Sequence, residues 1–556
     1  MAIITELWDA EDIWKLAAVT IVIYNVYRSV YLLYFHPLAR FPGPRFAAVS
    51  EVSHVYNWYV SRQELHDDSL MHISSIGLQE VTTIIYIVSI RLTVSQFAVQ
   101  QTPLADNQCL GDVVRVAPNE LSFNAARSLQ GHMFLKSSFY AGPSGYSTIV
   151  MERDPAKHRE TKRLMAYGFS SKELQAQEPI LKTNLGLLTH QIETQGGFDK
   201  NGVSLNKLLQ GFVFDTIGEL ALGEPFGALG TGSSRPIMKI SRFFRPPQLT
   251  LFFIGKPHPW IETIHGAIYF MSIVQIAPRL PILLLALPFV APWSSIGQFI
   301  SFFRYQSAMT RKRLSRPLHD DKRDLFSFLL KEKPDKFLQV ASEAWLGNQA
   351  GVMIAAGFDT SAVTAVAASY YLAKNPEKMK RLREEVCERF TDSSEMAGTA
   401  VQQLSYLAAC IEETMRIMPP ITFGLPRESP GAEVDGKFVP KGTVVSTSGW
   451  SITRRHEYFF DPEAFHPERW LPPSHKYYDP LFCNDLKEAS QPFSLGPRVC
   501  LGINLAYVEL KLLLARLVWE YKWHLVNKGS FDWDKDRKFQ ALWVLPQVRV
   551  RYERAG

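Results

Sequence analysis

Apolar residues along the chain fall into three regimes. From Trp14 to Phe35 the stretch "WKLAAVTIVIYNVYRSVYLLYF" is apolar almost throughout, interrupted by Lys15 and Arg28, and has the length that crosses a bilayer as one helix. Beyond residue 150, apolar residues recur at three- and four-residue spacing. This predicts helices over Pro179–Ile192, Ala341–Lys374, Pro376–Phe390 and Ile503–Leu525. Short β-prone runs stand at "DVVRVAP", "KFVPKGTVVSTS" and "ALWVLPQVRVRY". No repeats or low-complexity tracts interrupt the pattern. The prediction is a mainly helical α+β fold with small sheets, in one body from residue 38 to 556 behind a leading segment 1–37.

The flanks of the leading segment set its orientation. Glu6, Asp9, Glu11 and Asp12 precede it, and "HPLARFPGPR" with Arg40 and Arg45 follows. Positive charge stays on the cytoplasmic side, so a spanning helix here places its tip in the lumen and the body in the cytosol. A cleaved signal peptide or a buried helix are the other readings, although no small-residue cleavage site follows.

Composition narrows the class. With 556 residues and 46% hydrophobic content the chain can bury a large core, and a net charge of +6 is too small and dispersed to argue for nucleic acid. A basic docking face for an acidic protein remains open. The cysteines Cys109, Cys387, Cys410, Cys483 and Cys500 are odd in number and lack CxxC spacing. Neither a disulfide scaffold nor a zinc site is therefore predicted.

Four motifs carry chemistry. In "AGFDTSA", Gly357, Asp359 and Thr360 interrupt an apolar helix, and a threonine hydroxyl can bond back to the carbonyl of Ala356 and bend it. Either a polar notch in an apolar wall or a simple kink with a solvent-facing aspartate follows. "EETMR" places Glu413 and Arg416 on one helical face, and Arg469 in "FHPERW" is a third partner for a buried charge cluster. In "FSLGPRVCLG", glycines around Cys500 let the backbone approach a bound group closely.

Together with "FPGP", "GDVVRVAPNELSF", "ERDPAKHRETKRLMAYGFS" and "FGLPRESP", these motifs run through nearly the whole chain in an order that resembles the cytochrome P450 family, in its membrane-bound fungal form. The resemblance implies a triangular, mainly α fold behind an N-terminal transmembrane helix. It implies heme b held by Cys500, with Phe493 shielding the sulfur and Gly496 and Gly502 leaving room for the ring. Arg498 and Arg427 resemble propionate ligands. His158 and Lys162 occupy positions where the family commonly shows tryptophan and arginine, a departure because lysine offers a point charge where arginine offers a fork. Asp359 and Thr360 resemble the pair that relays protons during oxygen activation. Glu413, Arg416 and Arg469 resemble the structural triad behind the heme.

The implied activity is oxidation of a hydrophobic small molecule, a fungal terpenoid or polyketide, with dioxygen and electrons from NADPH through a reductase. The implied place is the endoplasmic reticulum membrane, the body facing the cytosol. A reductase-independent isomerase or dehydratase stays open, as does a silent heme-binding membrane protein. The former tends to lack the acid and threonine, and the latter predicts a missing Cys500 or Glu413. By the same analogy pocket walls come from Met133–Tyr146, Asn348–Ala356, Ile421–Leu425 and Ala541–Val544, carrying Phe134, Phe139, Tyr140, Phe423 and Trp543. "PILLLALPFVAPW", Pro281 to Trp293, reads as a leaflet-dipping segment or a buried helix. Ser74 to Leu110 reads as an insertion outside the fold, of the kind translated intron sequence produces.

Overall fold

The N-terminal apolar run forms helix α1 (Ala10–Val30), continued by one π-helical turn over Tyr31–Phe35. It stops at His36, extended at φ −67° and ψ 143°, because the residue before a proline is driven out of the helical region. The span Trp14–Phe35 is 22 residues long with a mean hydropathy of 1.5, and only 6% of its apolar window is buried. It is long and apolar enough to cross a membrane.

The computed structural model of the chain describes residues 10–52, 112–124, 134–142, 147–229, 259–280, 293–316, 324–331, 342–422, 424–539 and 542–555. The expected insertion Ser74–Leu110, the flanking acids Glu6 and Asp9, the segment Pro281–Pro292, and pocket positions Met133, Phe423 and Ala541 lie outside the described residues.

Two compact units emerge, the first from Met1–Phe134 with Gly424–Ser451. Here "DVVRVAP" supplies the strand Val113–Ala117, antiparallel to Glu120–Phe123 with an irregular step between Arg115 and Ala117. Glu120–Phe123 lies parallel to Val444–Thr447, and Arg427–Glu428 pairs antiparallel to that strand in turn. The hairpin Ala432–Val434 and Lys437–Val439 closes through Asp435 and Gly436, both at positive φ (50° and 71°), which an Asp-Gly turn favours. Leu38, Phe41, Val113, Leu121, Phe123, Val434, Val439 and Val445 form the core of this unit. The "FPGP" segment runs against the first strand. Arg115 N–H donates to Pro42 O at 2.7 Å, and a Cβ on Gly43 would meet Arg115 O at 2.4 Å. The buried Arg115 guanidinium donates to Leu32 O (2.8 Å) and Pro118 O (2.7 Å), tying the end of the apolar span to the sheet.

The second unit, Leu135–Phe423 with Ile452–Gly556, holds the remaining principal helices. They are α2 (Pro155–Ala166), α3 (Ser171–Thr194), α4 (Leu205–Leu222), α5 (Pro259–Ile276), α6 (Trp293–Leu314), α7 (Leu325–Lys331), α8 (Glu343–Lys374), α9 (Pro376–Arg389), α10 (Ser405–Ile417) and α11 (Ile503–Glu520). Helix α8 starts where the Ser342 hydroxyl accepts the Trp345 N–H and ends before Pro376, the first residue of α9. It packs on α4, α6, α10 and α11. It too has the length and hydropathy of a span, but 72% of its window is buried in protein, so it is a core helix.

The helix expected over Ile503–Leu525 ends at Glu520. Tyr521–Leu525 is instead a strand of alternating burial, antiparallel to Arg549–Arg554, which also pairs with Val203–Ser204. Tyr521, Trp523 and Leu525 alternating with exposed Lys522 and His524 fit a half-buried strand better than one more turn.

Candidate active site

Helix α2 opens with the Asp154 carboxylate accepting the Ala156 N–H (2.7 Å) and Lys157 N–H (3.3 Å), with Pro155 in the first turn. This fixes the helix that carries His158 and, one turn on, Lys162. His158 is buried. Lys162 Nζ donates to Pro497 O (2.9 Å) and Val499 O (3.3 Å), so it clasps the cysteine loop.

That loop makes two bends at positive φ, Ser494 (60°) and Gly496 (67°), before a 3-10 turn over Gly496–Arg498. Cys500 N–H closes it on Phe493 O at 2.9 Å. The Phe493 ring lies 5.2 Å from that of Tyr507 on α11. Arg498 donates to Glu152 O (2.8 Å) and Arg153 O (3.3 Å), the residues leading into α2. Cys500 is exposed, yet desolvation by the surrounding protein pushes its thiol up, opposed by the Gly502 N–H and the charge of Lys162. A Cβ on Gly496 would meet nothing within 4 Å, and one on Gly502 only Phe169, at 3.9 Å.

On α8, Thr360 Oγ1 donates to Ala356 O at 2.7 Å, the back-bond expected from sequence, while the helix runs unbroken through it. Ala356 is exposed and Thr360 half-buried in the middle of an otherwise buried helix, making an accessible strip one turn long. Gly357 serves packing, since a Cβ there would sit 2.7 Å from Ile217 Cδ1 of α4. Asp359 is not the solvent-facing residue of a simple kink. It is 2% exposed, and its Oδ1 bonds His265 Nε2 of α5 at 2.7 Å. A lone histidine 94 residues upstream carries no sequence signal for this partnership.

Glu413, Arg416 and Arg469 come together in a fully buried cluster. Arg416 forks onto both oxygens of Glu413 at 2.8 Å and donates onward to the carbonyls of Thr453, Pro462 and Ala464. Arg469 Nε reaches Glu413 at 3.1 Å and its Nη1 pairs with Asp485. The His466 N–H and the Trp470 indole N–H, both at 2.9 Å, complete the shell around Glu413. Burial pushes the Glu413 carboxyl up, but Arg416, Arg469 and the His466 N–H outweigh it and hold it below the ordinary range. Sequence reading missed Asp485 and also Glu468. The latter, beside Arg469, gathers Lys378 (2.7 Å), Arg381 (2.6 Å) and the Tyr406 hydroxyl (2.8 Å), tying α9 to α10.

Arg427 belongs to the first unit, nearly buried in its short strand, with Nη1 donating to Pro426 O at 3.3 Å. Of the expected pocket walls, Tyr140 is buried with its ring 5.3 Å from Phe139 and under the Lys136 ammonium. Trp543 is buried with its indole N–H on Pro419 O at 2.8 Å.

Comparison with known proteins decides the family. A cytochrome P450 family model matches residues 128–552. The cytochrome P450 monooxygenase poxC of Penicillium oxalicum is 35% identical over 97% of this chain and 94% of its own length. BOA3 of Botryotinia fuckeliana, a cytochrome P450 monooxygenase, is 36% identical over 96% and 95%. Another, btcC of Colletotrichum orbiculare, is 30% identical over 96% and 92%. The chain belongs to the cytochrome P450 family. It is thus an oxidoreductase that incorporates oxygen by means of heme iron, and the general arrangement for cytochromes P450 draws electrons from NADPH through a reductase.

The residues present fit that cofactor. Among the described residues no group of three or more His, Cys, Asp or Glu could hold a bare metal ion, and iron held by a single cysteine would need its other ligands from a group such as heme. The glycines of the cysteine loop leave open space where side chains would stand. A desolvated thiol favours its neutral form, and a bound cation reverses that preference, with the Gly502 N–H and Lys162 already on the side of the anion.

Proposed function

We propose that this cytochrome P450 hydroxylates or otherwise oxidises a hydrophobic small molecule of fungal secondary metabolism, a terpenoid or polyketide, with heme b ligated by the Cys500 thiolate. The observation that carries it is the cysteine loop: an exposed cysteine whose thiol lies in desolvating surroundings, with an N–H and a cation favouring its anionic form. Heme supplies the oxygen-activating chemistry, and a thiolate ligand favours O–O cleavage. The chain's own part is to hold, orient and deliver protons.

Phe493 shields the sulfur, and Gly496 and Gly502 leave room for the ring. Arg498, His158 and Lys162 would hold the propionates, Lys162 with its contact to the cysteine loop as well; Arg427 is proposed for the same role from its position in the sequence. Asp359 and Thr360 deliver protons at the accessible strip of α8, and Glu413, Arg416 and Arg469 keep the surrounding fold rigid. The N-terminal span anchors the protein in the endoplasmic reticulum membrane with its body in the cytosol, where an NADPH-dependent reductase docks and lipid-soluble substrate is at hand. The fungal relatives named monooxygenases support this reading.

The test is a titration of the purified holoprotein with candidate fungal terpenoids and polyketides, followed by the shift of the heme absorption band, then mass spectrometry of products formed with NADPH and a reductase. Oxygenated product that depends on NADPH is expected. Conversion that proceeds without reductase overturns the reading.

A further inference from the structure

We propose that His265 is the positioning residue of Asp359, holding the carboxylate in place and connecting it to solvent, so that proton supply at Thr360 runs through the contact of α5 with α8. This takes Asp359 and Thr360 as the proton-delivering pair proposed above.

The geometry is that of a bridge. His265 Nε2 is 2.7 Å from Asp359 Oδ1, and the aspartate side chain is 3% exposed against 32% for the imidazole. The ring lies along Phe358, centroids 6.1 Å apart and planes 26° from parallel, and Phe358 in turn meets Phe214 edge-on at 5.0 Å. Its helix is held close to α6, for a Cβ on the neighbouring Gly266 would fall 1.6 Å from Gln298 Oε1. The buried acid therefore meets a group packed against Phe358 and about one-third exposed. With Nε2 committed to Asp359, Nδ1 is the ring nitrogen left for exchange.

The chemistry of the partner matters. A lysine or arginine here would hold a permanent ion pair, whereas histidine gains and loses its charge near neutral pH. Among the described residues, the charged groups that shift His265 are Asp359 and, on its own helix, Glu262; α6, the turn Ser138–Tyr140 and the turn Ala277–Arg279 also pack on α5. Burial opposes the imidazolium, but the Asp359 bond and the two carboxylates outweigh it and raise its proton affinity above that of an ordinary histidine. The imidazolium passes its Nε2 proton to Oδ1, and Asp359 hands that proton on towards Thr360. The ring, left neutral with its proton on Nδ1, turns to present that N–H to the carboxylate, and the bare nitrogen takes a proton from water.

The experiment uses full-length holoprotein in detergent micelles with ring-labelled histidine. Each of the 14 histidines is followed by NMR against pH, and the His265 signal is assigned by its loss in His265→Gln. His265 is expected to titrate above an ordinary histidine and to fall in Asp359→Asn. In parallel, NADPH oxidation and peroxide release with a purified fungal reductase are measured against pH. The wild type should show an inflection at the pKa of His265 that His265→Gln lacks, with the carbon-monoxide band intact in both. A His265 titration indifferent to Asp359→Asn, or an inflection retained in His265→Gln, overturns the proposal. If His265→Gln does not fold, the wild-type and Asp359→Asn titrations still decide, with sequential assignment. An unchanged peroxide yield in Thr360→Ala would instead count against the proton-delivering pair and leave the histidine–aspartate coupling standing.

Discussion

Arg416 grips Glu413 through two parallel hydrogen bonds of 2.8 Å between fully buried side chains. Removing one partner strands the other charge in the core, a loss of about 3–5 kcal/mol. Glu413→Gln and Arg416→Leu are each expected to lower the thermal midpoint by many degrees and to yield mostly heme-free protein. Calorimetry and the heme-to-protein absorbance ratio check this; a variant that keeps full heme content and midpoint would show the cluster to be dispensable.

The same pair sets an acid limit. With its folded pKa below the unfolded value, Glu413 contributes stability that is present above about pH 4.3, the ordinary glutamate value, and lost as pH falls through the folded pKa. Glu509 on α11 behaves oppositely. Burial pushes its carboxyl up to about 8, only partly offset by its hydrogen bond with Ser361 on α8. Its raised pKa gives stability that is present below the unfolded value and lost as pH rises towards 8. Glu509→Gln should therefore gain on the wild type between pH 5 and 8, by on the order of a few kcal/mol. Parallel pH profiles of thermal unfolding measure the difference, and a gap that stays constant across that window rules the buried acid out.

Cys500→Ala and Cys500→Ser should abolish the strongly red-shifted carbon-monoxide band of the reduced protein, because the proposed thiolate would be gone. The difference spectrum reads this directly. Survival of the band in the alanine variant would assign the ligand elsewhere.

Thr360 bonds its own helix at Ala356 O, so its replacement by alanine leaves the ladder of α8 intact. Heme content should stay near normal while electrons divert from product to peroxide. NADPH consumed, peroxide formed and product formed are measured together, and unchanged coupling argues against proton delivery at Thr360.

Removing residues 1–30 takes away α1 but spares Leu32 O, the acceptor of Arg115. The truncated protein should move from the membrane pellet to the soluble fraction with its carbon-monoxide band retained. Continued membrane association after a salt wash would locate the anchoring surface elsewhere.

The sequence by itself determined the elements whose cause is local. Spacing of apolar residues gave the apolar span, the long helix α8 and the break at Pro376. Glycine and proline around Cys500 gave a loop built for close approach, and the threonine back-bond at Ala356 followed from a separation of four residues. Tertiary structure decided what depends on distant segments meeting. The helix expected to Leu525 gave way to a strand because Arg549–Arg554, β-prone in sequence, lies alongside it as a pairing edge, and the meeting of the two segments is a tertiary matter. Lys162 reached the carbonyls of a loop more than three hundred residues away. Asp359 found His265, on α5 and 94 residues away, and its burial turned a residue that could have faced solvent into one with a single described partner. Periodicity and turn chemistry are properties of neighbouring residues, whereas the desolvation and pairing that set the chemistry of a charge belong to whatever the fold packs against it.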